Sequence, residues 1–378
     1  RAEAGSAMPI RKLYIELTSR CNLSCTMCYR NTWSDGDVDL DPSLYARLKD
    51  EVLASDEVGT IVLGGIGEPS VSLLFEDAVR TFGSGRSGVA GSSAGRGTRE
   101  QALAVSGAGR QLVITTNGVN IPSDVIDLMA LEAESVVISV DGTDDGYRLV
   151  RGSPLEQTLA TIDRIHSTRA AAGLPGSNVS IQFVLSRSTM GEAMGVLELA
   201  IRLRVRSMIV SHMLPQTAAQ TSQVMYGRNA LPETVHLFSK MNTMAWRRGM
   251  TLILPAMELK TDRWCAFIEN DATVLTASGD VAPCYRLAHS YPEYVMGRRK
   301  DVAGYSFGRF GSSSLAEIWN TRDYAAFRQM VWTNRYPSCL DCDLVNGCDL
   351  VSDTRADCFA NTPSCADCPW SRNFTLCP

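Results

Sequence analysis

The sequence has no apolar run of the roughly 18 residues that a helix needs to cross a bilayer, which excludes a membrane-spanning helix. Its opening stretch, Arg1-Ala2-Glu3-Ala4-Gly5-Ser6-Ala7, lacks the apolar segment of a signal peptide, so the expected location is cytoplasmic, with no membrane partner. Excess positive charge is missing too, and a formal net charge of -5 gives no electrostatic reason for a nucleic-acid partner. Lysine is scarce, standing only at Lys12, Lys49, Lys240, Lys260 and Lys300; with abundant Ala and Gly, this is the residue usage of a GC-rich genome and carries no mechanism. Apolar content of 45% and charged content of 20% exclude a disordered or fibrous chain. The 378 residues suffice for one large domain and a smaller one.

Cysteine, by contrast, is plentiful. Twelve cysteines in a reducing compartment are explained by metal clusters rather than by disulfides. Cys21, Cys25 and Cys28 are spaced C-x3-C-x2-C directly after the strand-like run Leu13-Tyr14-Ile15-Glu16-Leu17. Three thiolates on one loop can hold a four-iron cluster and leave one iron without a protein ligand, open to a substrate or cofactor. A zinc knuckle needs a fourth ligand nearby, and the nearest histidine is His166. Nor can three cysteines all pair locally as disulfides.

The first two-thirds alternate β-branched runs with helical patterns, which predicts a parallel sheet of βα units. Strands are expected over Lys12 to Leu17, Gly59 to Leu63, Gln111 to Thr115, Ser135 to Val140, Val179 to Leu185 and Ser207 to Ser211. Leu44, Leu48, Val52 and Leu53, and again Leu159, Ile162, Ile165 and His166, recur at helical spacing. The fold class is therefore α/β. In such sheets chemistry gathers at the carboxyl ends of the strands, where the cysteine loop falls. Gly83 to Gly109, rich in Gly, Ser, Ala and Arg, reads as a flexible insertion, with a substrate-covering role as the alternative. After Pro215 come a polar segment, a helix from about Pro232 to Arg248, a short strand over Thr251 to Leu254, and a tail holding nine of the twelve cysteines. The expected division is 1–255 for the sheet and 256–378 for the tail.

The triad and its place after the first strand resemble the radical S-adenosylmethionine (SAM) superfamily, whose core is a partial (β/α)6 barrel. The resemblance implies that the amino and carboxylate groups of SAM chelate the open iron. It gives a role to Gly64-Gly65-Ile66-Gly67-Glu68-Pro69, where Gly64, Gly65, Gly67 and Glu68 would line the pocket for the methionine amino group. Read alone, those glycines only permit a tight turn. Ser139 and Asp141 alternate onto one strand face, and the family places SAM-ribose contacts there. Asp141-Gly142 read alone is an ordinary turn, and Thr115-Thr116-Asn117-Gly118 is equally ambiguous. The family sets adenine contacts at the positions of His212 and Leu214, although a lone histidine is more often structural.

The tail resembles a SPASM domain, which binds auxiliary four-iron clusters. Cys265, Gly279 and Cys284 have C-x13-G-x4-C spacing, followed by Cys339, Cys342 and Cys348, then Cys358, Cys365, Cys368 and Cys377. Nine residues separate Cys348 from Cys358 where the family has three, which leaves the ligand sets open. One radical cluster and two fully ligated auxiliary [4Fe-4S] clusters need eleven thiolates, so one cysteine is spare. Family analogy groups Cys339, Cys342 and Cys348 in one cluster, and Cys265 with Cys284 in the other. The alternative is a pair of zinc-ribbon knuckles from Cys339/Cys342 and Cys365/Cys368.

Within the superfamily the chain is most similar to the radical SAM maturases of tungsten-cofactor oxidoreductases, through Cys28-Tyr29-Arg30-Asn31-Thr32-Trp33, Pro283-Cys284-Tyr285 and Pro363-Ser364-Cys365-Ala366-Asp367-Cys368-Pro369-Trp370. The resemblance implies that a flavodoxin or ferredoxin supplies one electron, that SAM is cleaved to a 5′-deoxyadenosyl radical, and that an auxiliary cluster takes the leftover electron of a two-electron oxidation. Three functions compete. One is peptide or protein modification; sulfatase-maturing members carry an aspartate where this chain has Tyr285. The second, preferred from sequence, is dehydrogenation or epimerisation of a small polyol or amino sugar in specialised metabolism such as antibiotic biosynthesis. The third, a non-enzymatic cluster carrier, needs no SAM pocket. Tyr285 and Arg286, beside the tail clusters, are the candidates for substrate contact or proton transfer.

Overall fold

A computed structural model describes residues 8–83 and 109–376. Most of the Gly83 to Gly109 insertion, and Cys377, lie outside the described residues. Seven parallel strands run in sequence order: β1 (Lys12–Ile15), β2 (Thr60–Leu63), β3 (Gln111–Thr116), β4 (Ser135–Ser139), β5 (Val179–Leu185), β6 (Ser207–His212) and β7 (Thr251–Ile253). The six expected strands are all present, with ends shifted by one or two residues. Their helices are α1 (Pro42–Leu53), α2 (Phe75–Phe82), α3 (Ser123–Glu132), α4 (Asp144–Arg151), α5 (Leu155–Ala171), α6 (Ala193–Arg202) and α7 (Pro232–Arg248). Pro42 opens α1 and the Asp41 carboxylate caps it, accepting from the Ser43 and Leu44 amides at 2.8 and 3.2 Å, which satisfies donors left free by the first turn. Tyr45, Leu48 and Val52 form its buried stripe.

The sheet does not stop at the barrel strands. After α8 (Ala266–Glu269), β8 (Ala272–Leu275) pairs parallel with β1 from Lys12↔Ala272 to Ile15↔Leu275, and β9 (Val281–Ala282) pairs antiparallel with β8. Among the described residues the order is β7-β6-β5-β4-β3-β2-β1-β8-β9, an open half-barrel with the start of the tail sewn onto its edge. Ala272 to Leu275 was not expected as a strand because a four-residue run buried on both faces shows no alternation. The hairpin β10 (Tyr291–Val295) and β11 (Arg298–Val302), then α9 (Leu315–Trp319) and α10 (Arg322–Trp332), complete the regular structure. Among the described residues no helix is long and apolar enough to cross a membrane.

Candidate functional site

At the carboxyl ends of the strands lies a cavity of about 270 Å³. Cys21, Cys25 and Cys28 form one wall, in the loop that follows β1. The wall opposite comes from the ends of later strands: Gly65, Gly67 and Glu68 after β2, Ser139 at the end of β4, and His212 and Leu214 at the end of β6. Residues up to 193 positions apart in sequence thus meet because parallel strands align their carboxyl ends on one side.

The glycine loop is shaped by close approach. At Gly65, φ is +130°, and an added Cβ would stand 2.7 Å from Glu16 Cγ; at Gly67 it would stand 2.2 Å from the Thr18 carbonyl oxygen. Neither position accepts a side chain. Glu68, expected as a ligand for an ammonium group, spends most of its carboxylate on the loop itself. Its Oε1 accepts from Ser70 Oγ at 2.8 Å and Thr116 Oγ1 at 2.7 Å, and its Oε2 accepts from the Asn117 amide at 2.7 Å. Burial pushes its pKa up, against those hydrogen bonds. Glu68 therefore ties the loop after β2 to the turn after β3.

That turn reaches the triad. Asn117 Nδ2 donates to Asn22 Oδ1 at 2.8 Å and lies 3.8 Å from Cys21 Sγ, while the Leu23 amide lies 3.4 Å from the same sulfur. On the other side, Arg151 at the end of α4 places Nη1 3.7 Å from Cys25 Sγ. Arg151 pairs with Asp141, whose other oxygen accepts from the Val184 amide at 2.6 Å. Burial works against the Arg151 charge, but Asp141, Cys25 and Tyr147 together more than offset it, so the guanidinium is held above its ordinary pKa. These donors suit thiolates, whose protons burial otherwise retains: the Cys21 and Cys28 thiols are both pushed up by desolvation. Arg151 was missed from sequence because its only signal is a distant carboxylate.

Three expected residues do not face the cavity. Asp141 is fully buried and acts through Arg151. Gly64 lies against Thr115 and the Tyr285 hydroxyl, the latter 3.3 Å from the position of an added Cβ. Arg286 is 2% exposed and committed to Glu293 and to Asp367, the latter at 3.3 Å, with Lys300 joining Asp367 at 3.1 Å. Substrate contact by Arg286 is thus corrected to a charge fixed beside Cys368. Tyr285 does line the cavity, packed edge-on against Tyr14 at 4.9 Å. His212 Nε2 donates to the Ala256 carbonyl at 3.0 Å, which leaves Nδ1 as a buried acceptor without a protein partner. Burial lowers its pKa to about 4, so the ring is neutral.

The tail reaches the same cavity through Trp370, Thr375 and Leu376, none of which was expected there from the sequence. Its described cysteines sort into two groups. Cys265, Cys284, Cys365 and Cys368 stand together: burial comes first in raising their pKa values and carries Cys265 up to about 12, and Cys368 raises the other three further. These residues are only partly buried by surface area but lie deep in the protein, and depth governs desolvation. Cys339, Cys342 and Cys358 form the second group, with Cys348 in the loop that joins them. The analogy that put Cys265 with Cys284 gains Cys365 and Cys368. The zinc-ribbon alternative did not expect Cys365 and Cys368 to stand with Cys265 and Cys284. Among the described residues, no three His, Cys, Asp or Glu side chains are gathered as a single metal ion requires.

The donor sets and cradle fit a SAM-binding cluster site, and the comparisons agree. The model of the radical SAM superfamily matches residues 15–200, and that of an iron–sulfur cluster-binding domain, SPASM, matches residues 265–343. The chain is 34% identical to the tungsten-containing aldehyde ferredoxin oxidoreductase cofactor-modifying protein of Pyrococcus furiosus, over 98% of this chain and 97% of that protein. Two solved structures share the fold. Streptococcus suis SuiB bound to precursor peptide SuiA has a TM-score of 0.58 at 13% identity, covering 91% of this chain and 72% of its own. AnSMEcpe with bound AdoMet has a TM-score of 0.58 at 15% identity, covering 96% and 92%.

Proposed function

The chain belongs to the radical SAM superfamily, in the branch that adds a SPASM domain, and from that premise we propose that it performs a two-electron oxidation in the maturation of a metalloenzyme cofactor or a peptide. SAM and [4Fe-4S] clusters are its cofactors. When bound, they would supply, with an electron from a ferredoxin or flavodoxin, a 5′-deoxyadenosyl radical able to take a hydrogen atom from the substrate.

The observation that carries the reading is the shared cavity: Tyr285, next to Cys284, stands in the same wall system as the triad Cys21, Cys25 and Cys28. A substrate held there lies between the open cysteine loop and the closed group of Cys265, Cys284, Cys365 and Cys368, which is where a second electron can leave. The triad holds the radical cluster, with Asn117 and Arg151 stabilising two of its sulfurs through hydrogen bonds. The backbone of Gly65 and Gly67 would receive the methionine amino group, Ser139 the ribose, and Nδ1 of His212 the exocyclic amine of adenine. Trp370 and Leu376 exclude water. Tyr285 positions its hydroxyl to give or take a proton.

The Pyrococcus furiosus relative, matched over 97% of its length, modifies the cofactor of a tungsten enzyme by its name, which favours maturation. The comparisons give the small-polyol reading, and a role in antibiotic biosynthesis, no support. An anaerobic assay of the reconstituted protein, following deuterium from labelled substrates into 5′-deoxyadenosine, tests the proposal. Label arriving from a tungsten-enzyme cofactor precursor or a peptide supports it; label arriving only from a free polyol sinks it.

A further inference from the structure

Four buried charges run between the two groups of tail cysteines. Arg286 pairs with Glu293 of β10 and places Nη2 3.3 Å from Asp367 Oδ1, while Lys300 of β11 places Nζ 3.1 Å from Asp367 Oδ2. Glu293 and Lys300 are register partners across the hairpin, which sets both side chains on one face of it. None of the four is more than 2% exposed, and none lines the SAM cavity.

Each cation belongs to a different cysteine group. Arg286 comes two residues after Cys284, and its contact with Asp367 holds it against the segment that carries Cys365 and Cys368. Its charge favours the thiolates of Cys284, Cys365 and Cys368. Lys300 Nζ donates to the Val351 carbonyl at 3.0 Å, in the turn after Cys348, and Val351 packs against the cluster of Cys339, Val345 and Ala366. Its charge favours the Cys339 thiolate. Asp367 is shared between the two.

Stability does not explain this arrangement, because burying ion pairs costs desolvation and apolar side chains of similar volume often serve as well or better. What fixed cations do beside iron–sulfur clusters is different. A reduced cluster carries one more negative charge than an oxidised one, so a nearby cation favours the reduced form, and the low effective dielectric of the interior strengthens the attraction. We propose that Arg286 and Lys300 are tuning charges: Arg286 raises the reduction potential of the cluster held by Cys265, Cys284, Cys365 and Cys368, and Lys300 raises that of the cluster held by the Cys339 group. Neither touches the substrate. That the first cluster takes the substrate's second electron rests on the proposed function; the two potentials do not.

The test is an EPR-monitored redox titration of the iron–sulfur-reconstituted protein without substrate, in a Cys25→Ala background that removes the signal of the radical cluster. The signal that also disappears with Cys368→Ala identifies the first cluster. Arg286→Gln should weaken one-electron reduction of that cluster about tenfold, ~59 mV in potential, and move the other cluster less than about threefold. Arg286→Lys should restore most of the shift, and Lys300→Gln should give the reverse pattern. A merely structural role does not predict that site selectivity. Unshifted potentials, equal shifts of both clusters in either variant, or an Arg286→Lys protein that behaves like Arg286→Gln overturn the proposal. Should Arg286→Gln not hold iron, Lys300→Gln decides: a selectively lowered potential at the Cys339 group supports the proposal, and any other pattern overturns it. Product formation is assayed separately, so a protein that shows these shifts but oxidises neither a peptide nor a cofactor precursor counts against the proposed function and leaves the tuning charges standing.

Discussion

The two best-defined cysteine groups of this chain are built in opposite ways. Cys21, Cys25 and Cys28 come from one short loop, border a cavity, and touch the donors Asn117 Nδ2 and Arg151 Nη1. Cys265, Cys284, Cys365 and Cys368 come from three separate segments and lie deep in the protein, where burial pushes all four thiols up and Cys368 pushes the other three further. The first set has three thiols on the cavity wall; the second has four, and none of them lines the cavity. Openness suits chemistry on a bound small molecule, and closure suits passing an electron without exchanging ligands. Tyr285 stands where the two meet.

The comparison breaks most sharply at the cysteines themselves. Cys25→Ala should abolish SAM cleavage, whereas Cys368→Ala should remove about four irons per chain and stop product formation while SAM cleavage stays measurable. Iron analysis and 5′-deoxyadenosine quantitation read both, and equal loss of SAM cleavage in the two variants would erase the distinction. Next in size, Tyr285→Phe should lower product formation about a hundredfold, within the range for a lost proton-transfer group, with 5′-deoxyadenosine still released. Unchanged turnover would remove Tyr285 from the mechanism.

A structural break follows. Gly65→Ala forces a Cβ into Glu16 at a positive φ and should cost about 1–3 kcal/mol of stability, with SAM binding weakened in parallel. Thermal melting and SAM titration check it. The smallest expected effect is a pH dependence at the join between loop and tail. Burial opposes the His289 imidazolium, but Glu16 and then Asp35 outweigh it, so the folded pKa lies above the ordinary 6.5. The stability this pair contributes is full below that ordinary value and is lost as pH rises through the raised folded value. The stability gap between the natural chain and His289→Gln should therefore be widest near pH 6 and narrower by about pH 9 in denaturant titrations. A gap that widens with pH would mean that His289 is neutral in the fold.

The βα order, the cysteine loop and the glycine loop were legible because each is written in consecutive residues: a run of β-branched side chains, a C-x3-C-x2-C spacing, a turn that tolerates only glycine. Asp141 was legible as a carboxylate near a strand end but not as the partner of Arg151, since the pairing is made only when the last residue of α4 comes back to the end of β4. Arg286 looked like a substrate contact from its neighbour Cys284, yet burial and two carboxylates hold it away from the cavity. The strand Ala272–Leu275 hid because a short stretch buried on both faces has no periodicity to read.

Sequence alone thus determined the kind of chemistry, for the spacing of Cys21, Cys25 and Cys28 fixes a three-thiolate loop whatever surrounds it. Only the tertiary structure decided which tail cysteines stand together, that Glu16 backs the glycine wall, and that Trp370, Thr375 and Leu376 close the cavity. The reason is physical: a ligand loop is set by local chain geometry, whereas a closed group and a cavity wall are made by segments that meet only when the core packs.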